Sequence, residues 1–211
     1  MRAVVTGGSR GIGKAIADYL RKDYEVVTIG RGPDNDMQWD LTVSHLGIID
    51  FSVDVLVNNA GFQYYAPAVS YPITEWFKQM AMLEAYFDMS RQAYLHGAKR
   101  IINIASTAGI RGTRGAIGYS VAKAGVIHMT KCLSNEWAPR CTVNCIAPGF
   151  IETGMLGDAF RDDEHRERVK AYIPAGHFGE PGDVADAVEF LIRADYVTGA
   201  VITVDGGFTG L

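Results

Sequence analysis

The segment Thr6-Gly7-Gly8-Ser9-Arg10-Gly11-Ile12-Gly13 lies between a short β-rich run, Ala3 to Thr6, and a stretch of helical pattern near residues 12–22. A glycine-rich turn that ends a first strand and opens a helix restricts the folds open to a chain. The glycines permit a tight turn and let backbone N–H groups approach an anion. The helix aims the positive end of its dipole at the same point. The spacing therefore predicts a cradle for the pyrophosphate of a nucleotide.

Further short β-rich runs follow at Glu25 to Ile29, Asp54 to Asn58, Arg100 to Ile104, Cys141 to Ile146 and Val201 to Val204. Helical patterns separate them near 74–96, 117–139 and 183–193. That alternation predicts βαβ units and an α/β fold, a Rossmann-like doubly wound parallel sheet in three layers, α/β/α. The link from the second strand to the third, Arg31 to about Ser52, has weak helical signal, and Asp34-Asn35-Asp36 reads as a loop, so a covering helix there is expected to be stunted. With 211 residues, 48% of them hydrophobic, the chain is expected to form a single domain, 1–211. The mixed-sign run Arg161 to Arg168 reads as a solvated helix.

Charge and composition exclude several function classes. A net charge of −4 supplies no basic surplus for a nucleic-acid backbone. The apolar runs, such as Ile101-Ile102-Asn103-Ile104-Ala105, fall short of the ~20 residues of a membrane span. Residues 2–5 run straight into the glycine turn, so no signal peptide is expected. Cys132, Cys141 and Cys145 form no C-x-x-C motif, which fits reduced thiols in a cytoplasmic compartment. Cys141 and Cys145 share one face of a strand and read as core rather than as a metal site, so no metal is expected.

Two further features carry chemistry. The second strand ends Thr28-Ile29-Gly30-Arg31, with no acidic residue to grip a ribose 2′-hydroxyl. Arg31 and Arg10 instead suit a 2′-phosphate, held by charge-assisted forked hydrogen bonds, so NADP(H) is expected over NAD(H). Tyr119 and Lys123 lie four residues apart on a predicted helix, thirteen and seventeen positions after Ser106. An i, i+4 pair shares a helix face, so the Lys123 ammonium is expected beside the Tyr119 phenol. There it would lower the phenol pKa from about 10 and make a general acid or base.

In order along the chain, these motifs resemble the short-chain dehydrogenase/reductase family, and the resemblance runs from residue 3 to about 208. Asn58-Asn59-Ala60-Gly61 looks like the family motif after its fourth strand, with Met37 to Asp40 as the third. Asp40-Leu41 looks like its adenine-contacting pair. Pro148-Gly149-Phe150-Ile151-Glu152-Thr153 is similar to its nicotinamide-side loop, and Asp205-Gly206-Gly207 to its last strand ending. The resemblance implies hydride transfer between nicotinamide C4 and a carbonyl carbon, with Ser106 holding the carbonyl oxygen and Tyr119 supplying the proton. Lys123 would tune Tyr119 and bind the nicotinamide ribose, while Ile151 and Thr153 would orient the carboxamide. The implied cofactor contacts are Gly7, Ser9, Arg10, Gly11, Ile12, Gly13, Arg31, Asp40, Leu41, Asn59, Ala60, Gly61, Tyr119, Lys123, Pro148, Gly149, Ile151 and Thr153.

The chain departs from the family in one catalytic position. An asparagine usual on the long helix, where it helps hold a water linking the lysine to solvent, falls at Leu83 or, on another anchor, at Met82; neither is polar. Another water route or a neighbour such as Glu84 is left to replace it. The segment from Leu83 to Ser106 is also about five residues shorter than usual, so the end of that helix must be trimmed. Ser9 to Gly13, Ala147 to Thr153 and Ile173 to Gly176 look most like the 3-oxoacyl-acyl-carrier-protein reductases. However, Asn135-Glu136 stands where those enzymes place basic residues for an acidic carrier. Arg111 and Arg114 read either as solvated loop cations or as attractors of an anionic substrate. Residues 152–176, with Gly154, Met155, Leu156, Gly157 and Phe160, read as a substrate lid or as ordinary helix packing. The expectation is an NADPH-dependent ketone or β-ketoacyl reductase acting on a small-molecule carbonyl or alcohol, assembled as a homotetramer or homodimer through the helices at 74–96 and 117–139. The alternatives are a lyase or epimerase on the same scaffold, a dinucleotide-binding regulator, or a weakly active member of the family slowed by the loss of the usual asparagine.

Overall fold

The structure, a computed structural model, describes residues 1–43, 47–157 and 162–210. Seven strands form one parallel sheet: β1 (Arg2–Thr6), β2 (Glu25–Gly30), β3 (Met37–Gln38), β4 (Val55–Asn58), β5 (Arg100–Ile104), β6 (Thr142–Pro148) and β7 (Val201–Val204). The helices are α1 (Gly11–Leu20), α2 (Ile73–Leu95), α3 (Ile117–Trp137), a single turn α4 (Gly154–Gly157), α5 (Asp163–Ala171) and α6 (Pro181–Arg193). The strand order is β3-β2-β1-β4-β5-β6-β7. The direction of winding reverses between β1 and β4, and in such sheets the crevice at the carboxyl ends of those two strands receives the ligand.

Period-two alternation divides the sheet's two cores. Ala3 and Val5 of β1 pack beneath α1 and α6, while Val4 joins the core beneath α2 and α3. Helix α1 buries Gly13, Ile16, Ala17 and Leu20, and α6 buries Val184, Ala185, Val188 and Leu191. Each set repeats at three to four residues and so forms one stripe. Pro181 opens α6, and the Asp183 carboxylate accepts the Glu180 backbone N–H at 2.7 Å. Cys141 and Cys145 are buried in the cores.

Beneath the crevice runs a buried polar ladder. The Asn58 amide donates to Ser90 Oγ and to Asn103 Oδ1, both at 2.9 Å, and the Asn103 amide donates to Thr130 Oγ1 at 3.0 Å. These bonds fasten α2 and α3 to β4 and β5 at one register. An unpaired amide in that position would cost its full desolvation penalty.

Between β2 and β4 the described residues contain no helix, and β3 is only two residues long. Leu41, Ile48, Ile49 and Val53 fill the core there from irregular chain. The Ile49 N–H donates to buried Gln92 Oε1 at 2.9 Å and pins the segment to α2. The expected trimming of α2 occurs at Leu95, where Gly97 adopts φ +100° and β5 begins three residues later. Among the described residues no helix is long and apolar enough to cross a membrane.

Candidate active site

The loop after β1 is built for close approach. Gly7 and Gly11 have φ of +67° and +54°. A Cβ on Gly13 would lie 2.1 Å from the Gly7 carbonyl oxygen, so α1 rests directly on the loop. From the far side, Thr6 Oγ1 accepts the N–H groups of Asn59 (2.9 Å) and Ala60 (3.0 Å), and the Asn59 amide donates to the Thr6 and Gly7 carbonyls at 3.0 and 3.2 Å. Asn59 thus acts on this loop by fastening it to the end of β4. Helix α1 has no side-chain cap and no acidic residue in its first turn. Its free N–H groups and positive dipole end, beside glycines that leave room for phosphate oxygens, fit a pyrophosphate.

At the end of β2, Arg31 and Arg10 are exposed. A Cβ on Gly32 would lie 3.1 Å from Ser9 Oγ, so the two loops adjoin. Burial raises the Asp40 carboxyl pKa, but hydrogen bonds from Thr42 and the charge of Arg31 outweigh it and hold the group below its ordinary value. Leu41 is buried in the core. Asn35 is buried against Gly30, and its Oδ1 has no protein partner. Across the crevice, Thr153 approaches Gly11, where a Cβ would lie 3.3 Å from Thr153 Cγ2. Ile151 is buried and bridges Gly179. Gly149, after Pro148 at the end of β6, packs on Asp205, whose carboxylate accepts the Gly207 and Thr209 N–H groups at 3.0 and 2.9 Å.

The fold brings Ser106, Tyr119 and Lys123 together at the carboxyl end of β5, all three buried. Ser106 lies just beyond β5 and its Oγ accepts the Ala108 N–H at 3.1 Å. Tyr119 occupies the first turn of α3, where Ser106 and Gln63 lie near enough to its phenol to favour the ionised form against burial. Lys123, one turn on, donates to the Ile104 carbonyl at 2.7 Å and to Tyr86 Oη at 3.1 Å.

This arrangement corrects one expectation. Burial raises the Tyr119 pKa, opposed by nearby Ser106 and Gln63, rather than a cation lowering it. The Lys123 nitrogen is drawn toward β5 and α2, 5.7 Å from the Tyr119 ring centroid. Burial also pushes Lys123 down to about 8. Glu84 is exposed, and the α2 side chain that reaches the lysine is Tyr86. Tyr86 and Gln63 went unnoticed in the sequence. Tyr86 sits one turn beyond positions 82 and 83 on the same helical face, which was the available signal.

Arg111 donates to the Phe208 carbonyl at 2.8 Å and lies over its ring at 5.1 Å, so it ties the C-terminal turn to the loop after β5. Arg114 is exposed. In the 152–176 segment, Leu156 and Ile173 pack with Phe178 against Phe150 and Val169. Phe160 and Arg161 lie outside the described residues.

Comparison with known proteins agrees with this geometry. A family model described as Enoyl-(Acyl carrier protein) reductase matches residues 34–209. The 3-oxoacyl-[acyl-carrier-protein] reductase FabG of Vibrio cholerae is 39% identical over 236 aligned residues, covering 97% of this chain and 96% of that protein. The acetoacetyl-CoA reductase of Rhizobium meliloti is 35% identical and covers 97% of each chain. A crystal structure of a putative 2-deoxy-d-gluconate 3-dehydrogenase from Agrobacterium tumefaciens, with bound NADP, superposes with a TM-score of 0.93 at 32% identity, over 100% of this chain and 96% of that one. The chain belongs to the short-chain dehydrogenase/reductase family and is a nicotinamide-nucleotide-dependent oxidoreductase acting on CH-OH and C=O groups.

Proposed function

We propose that the protein is an NADPH-dependent reductase of a ketone or β-ketoacyl group, with Tyr119 as general acid. The observation that carries this reading is the buried Tyr119 phenol beside buried Ser106, with Lys123 one turn behind it. Bound dihydronicotinamide supplies the hydride that reduces the carbonyl carbon. Ser106 Oγ and Tyr119 Oη converge on the position of the carbonyl oxygen, where negative charge develops. Burial keeps Tyr119 protonated, so it is ready to give its proton to that oxygen. Lys123, charged below about pH 8, then offsets the phenolate that remains. Gln63 lies near the same phenol and favours its ionised form as the proton leaves.

The preference for NADPH rests on Arg10 and Arg31 at adjoining loops and on the lack of an acid after β2. The β-ketoacyl substrate is supported by the printed activities of the Vibrio and Rhizobium relatives. Exposed Asn135 and Glu136 on α3 favour a CoA thioester or a small ketone over an acidic carrier protein. The described parts of the 152–176 segment, 152–157 and 162–176, form the substrate cover, with the Leu156–Ile173–Phe178 cluster as its apolar base. Exposed Ile73, Phe77, Phe87, Ile117 and Val121 on α2 and α3 support assembly as a homodimer or homotetramer, to be read by light scattering.

NADPH oxidation over a panel of ketones, β-ketoacyl-CoA thioesters and sugar acids tests the function. Tyr119→Phe is expected to lower kcat by roughly 10²–10⁴-fold with NADPH affinity nearly unchanged. Full activity in that variant refutes the assignment.

A further inference from the structure

Tyr86 carries a phenol into the interior, fully buried among Met82, Ala105, Val126 and Cys145. A hydroxyl in such a place needs partners. Its oxygen lies 3.0 Å from the Ala60 carbonyl and 3.1 Å from the Ile104 carbonyl, and it accepts from Lys123 Nζ at 3.1 Å. The single phenolic proton goes to one carbonyl at a time, so the oxygen keeps a lone pair for the lysine in either case. An ammonium carries three N–H donors. The Ile104 carbonyl at 2.7 Å and Tyr86 Oη take two, and one is left.

Among the described residues Tyr86 is the α2 side chain that hydrogen-bonds Lys123, while buried Gln79, which lines the same space, donates to the Phe62 carbonyl. Met82 and Leu83, where the family usually carries an amide, present only apolar atoms. With Tyr86, Tyr119 and Lys123 they line a cavity of about 10 Å³, about the space of one water. The titratable groups facing Lys123 are Tyr86 from α2, Tyr119 from its own helix and Cys145 from β6. Burial keeps Tyr86 well above its ordinary range and pushes the Cys145 thiol up to about 12, so both stay neutral. Among the described residues no carboxylate faces Lys123.

We propose that Tyr86 positions Lys123: its phenolic oxygen and the Ile104 carbonyl each hold one of the three ammonium donors, leaving the third for the cofactor ribose. The proposal deepens the Tyr119–Lys123 reading above and rests on it for its catalytic consequence. Tyr86 acts through Lys123 and does not itself touch substrate. Because its oxygen accepts from the charged lysine, it favours that form; deleting the oxygen moves Lys123 to lower pKa.

The test is Tyr86→Phe in the full chain, which keeps the ring and removes the acceptor. The Lys123 titration is read by NMR of [ε-¹³C]lysine without cofactor, assigned by its loss in Lys123→Met. The pH profile of kcat is read alongside. The Lys123 midpoint is expected to fall by about one unit. The alkaline limb of kcat should move down with it, and kcat at pH 8 should drop about fivefold. A folded variant with midpoint and alkaline limb both unmoved overturns the proposal. Should Tyr86→Phe fail to fold, 3-fluorotyrosine at position 86 weakens the oxygen as an acceptor with little change of shape. A downward midpoint then supports the proposal and a fixed one overturns it. Since the midpoint is read without turnover, a wild-type protein that reduces no carbonyl refutes the function and leaves the Tyr86 measurement to be decided by itself.

Discussion

Replacing Gly13 by alanine sets helix propensity against packing at the floor of the pyrophosphate cradle. The new Cβ would lie 2.1 Å from the Gly7 carbonyl oxygen and 2.4 Å from Asn59 Nδ2. Neither neighbour is a free end: one is backbone, and the other is an amide already donating to Thr6 and Gly7. Alanine gains about 1 kcal/mol over glycine inside a helix. Forcing an extra methyl into packed surroundings costs about 1–3 kcal/mol. Loss of the Asn59-to-Gly7 hydrogen bond costs about 1 kcal/mol more. The balance is a destabilisation of roughly 1–3 kcal/mol, or a Tm lower by roughly 2–12 °C for a chain of this length. Because the displaced atoms form the cradle, NADPH affinity should fall about tenfold for each ~1.4 kcal/mol lost there. Thermal unfolding and NADPH fluorescence titration read the two effects. Gly182→Ala is the control. It lies near the start of α6 with nothing within 4 Å of the added Cβ, so only propensity acts and Tm should hold or rise. A Gly13→Ala protein with wild-type Tm and wild-type NADPH affinity refutes the packing argument.

Arg31→Ala is expected to raise the KM for NADPH about tenfold or more while sparing NADH, since a charged forked contact to a phosphate is lost; equal effects on both cofactors would sink the 2′-phosphate assignment. Lys123 sits at about 8 in the folded chain, below its ordinary 10.5, so the unfolded chain binds the extra proton between those values and folding gains stability as pH rises from 8. Burial holds the Cys141 and Cys145 thiols up at about 11 and 12, and their contribution is lost as pH rises past 9. Urea unfolding of the wild type should therefore give level or rising stability from pH 8 to 9, and Lys123→Met falling stability; parallel slopes contradict the buried-lysine account. Arg111→Ala should cost at most about 1 kcal/mol of stability and leave the KM ratio of anionic to neutral substrates unchanged within about twofold, because its guanidinium is engaged by Phe208; a selective rise for anions would show a substrate contact.

Much of the frame was legible because it rests on local chemistry. The run Ala3 to Thr6, the glycines after it and the stripe Ile16, Ala17, Leu20 each carry their own period or turn signal, and β1 and α1 lie within a residue or two of where these place them. Less was legible where distant segments decide the outcome. Leu41, Ile48 and Ile49 have no helical period, and nothing in their order tells that they substitute for a covering helix. At the site, the i, i+4 spacing of Tyr119 and Lys123 gave their shared face but not the direction of the ammonium. That direction depends on the Ile104 carbonyl and on Tyr86, 19 and 37 residues away. The raised Tyr119 pKa has the same origin, since burial is a property of the packed molecule.

The irregular cover over β2 and β3 gives the crevice two ends of unequal local stability. Chain without helical hydrogen bonds opens at lower free energy than a buried helix or central strand. In the proposed binding mode the adenosine end rests on the part of the sheet whose amides are expected to exchange first. The nicotinamide end then stands over the Asn58–Asn103–Thr130 ladder, whose strands are expected to exchange last. Dinucleotide binding should then register mainly as slowed exchange around Gly30 to Leu41, with the catalytic end already rigid before the cofactor arrives.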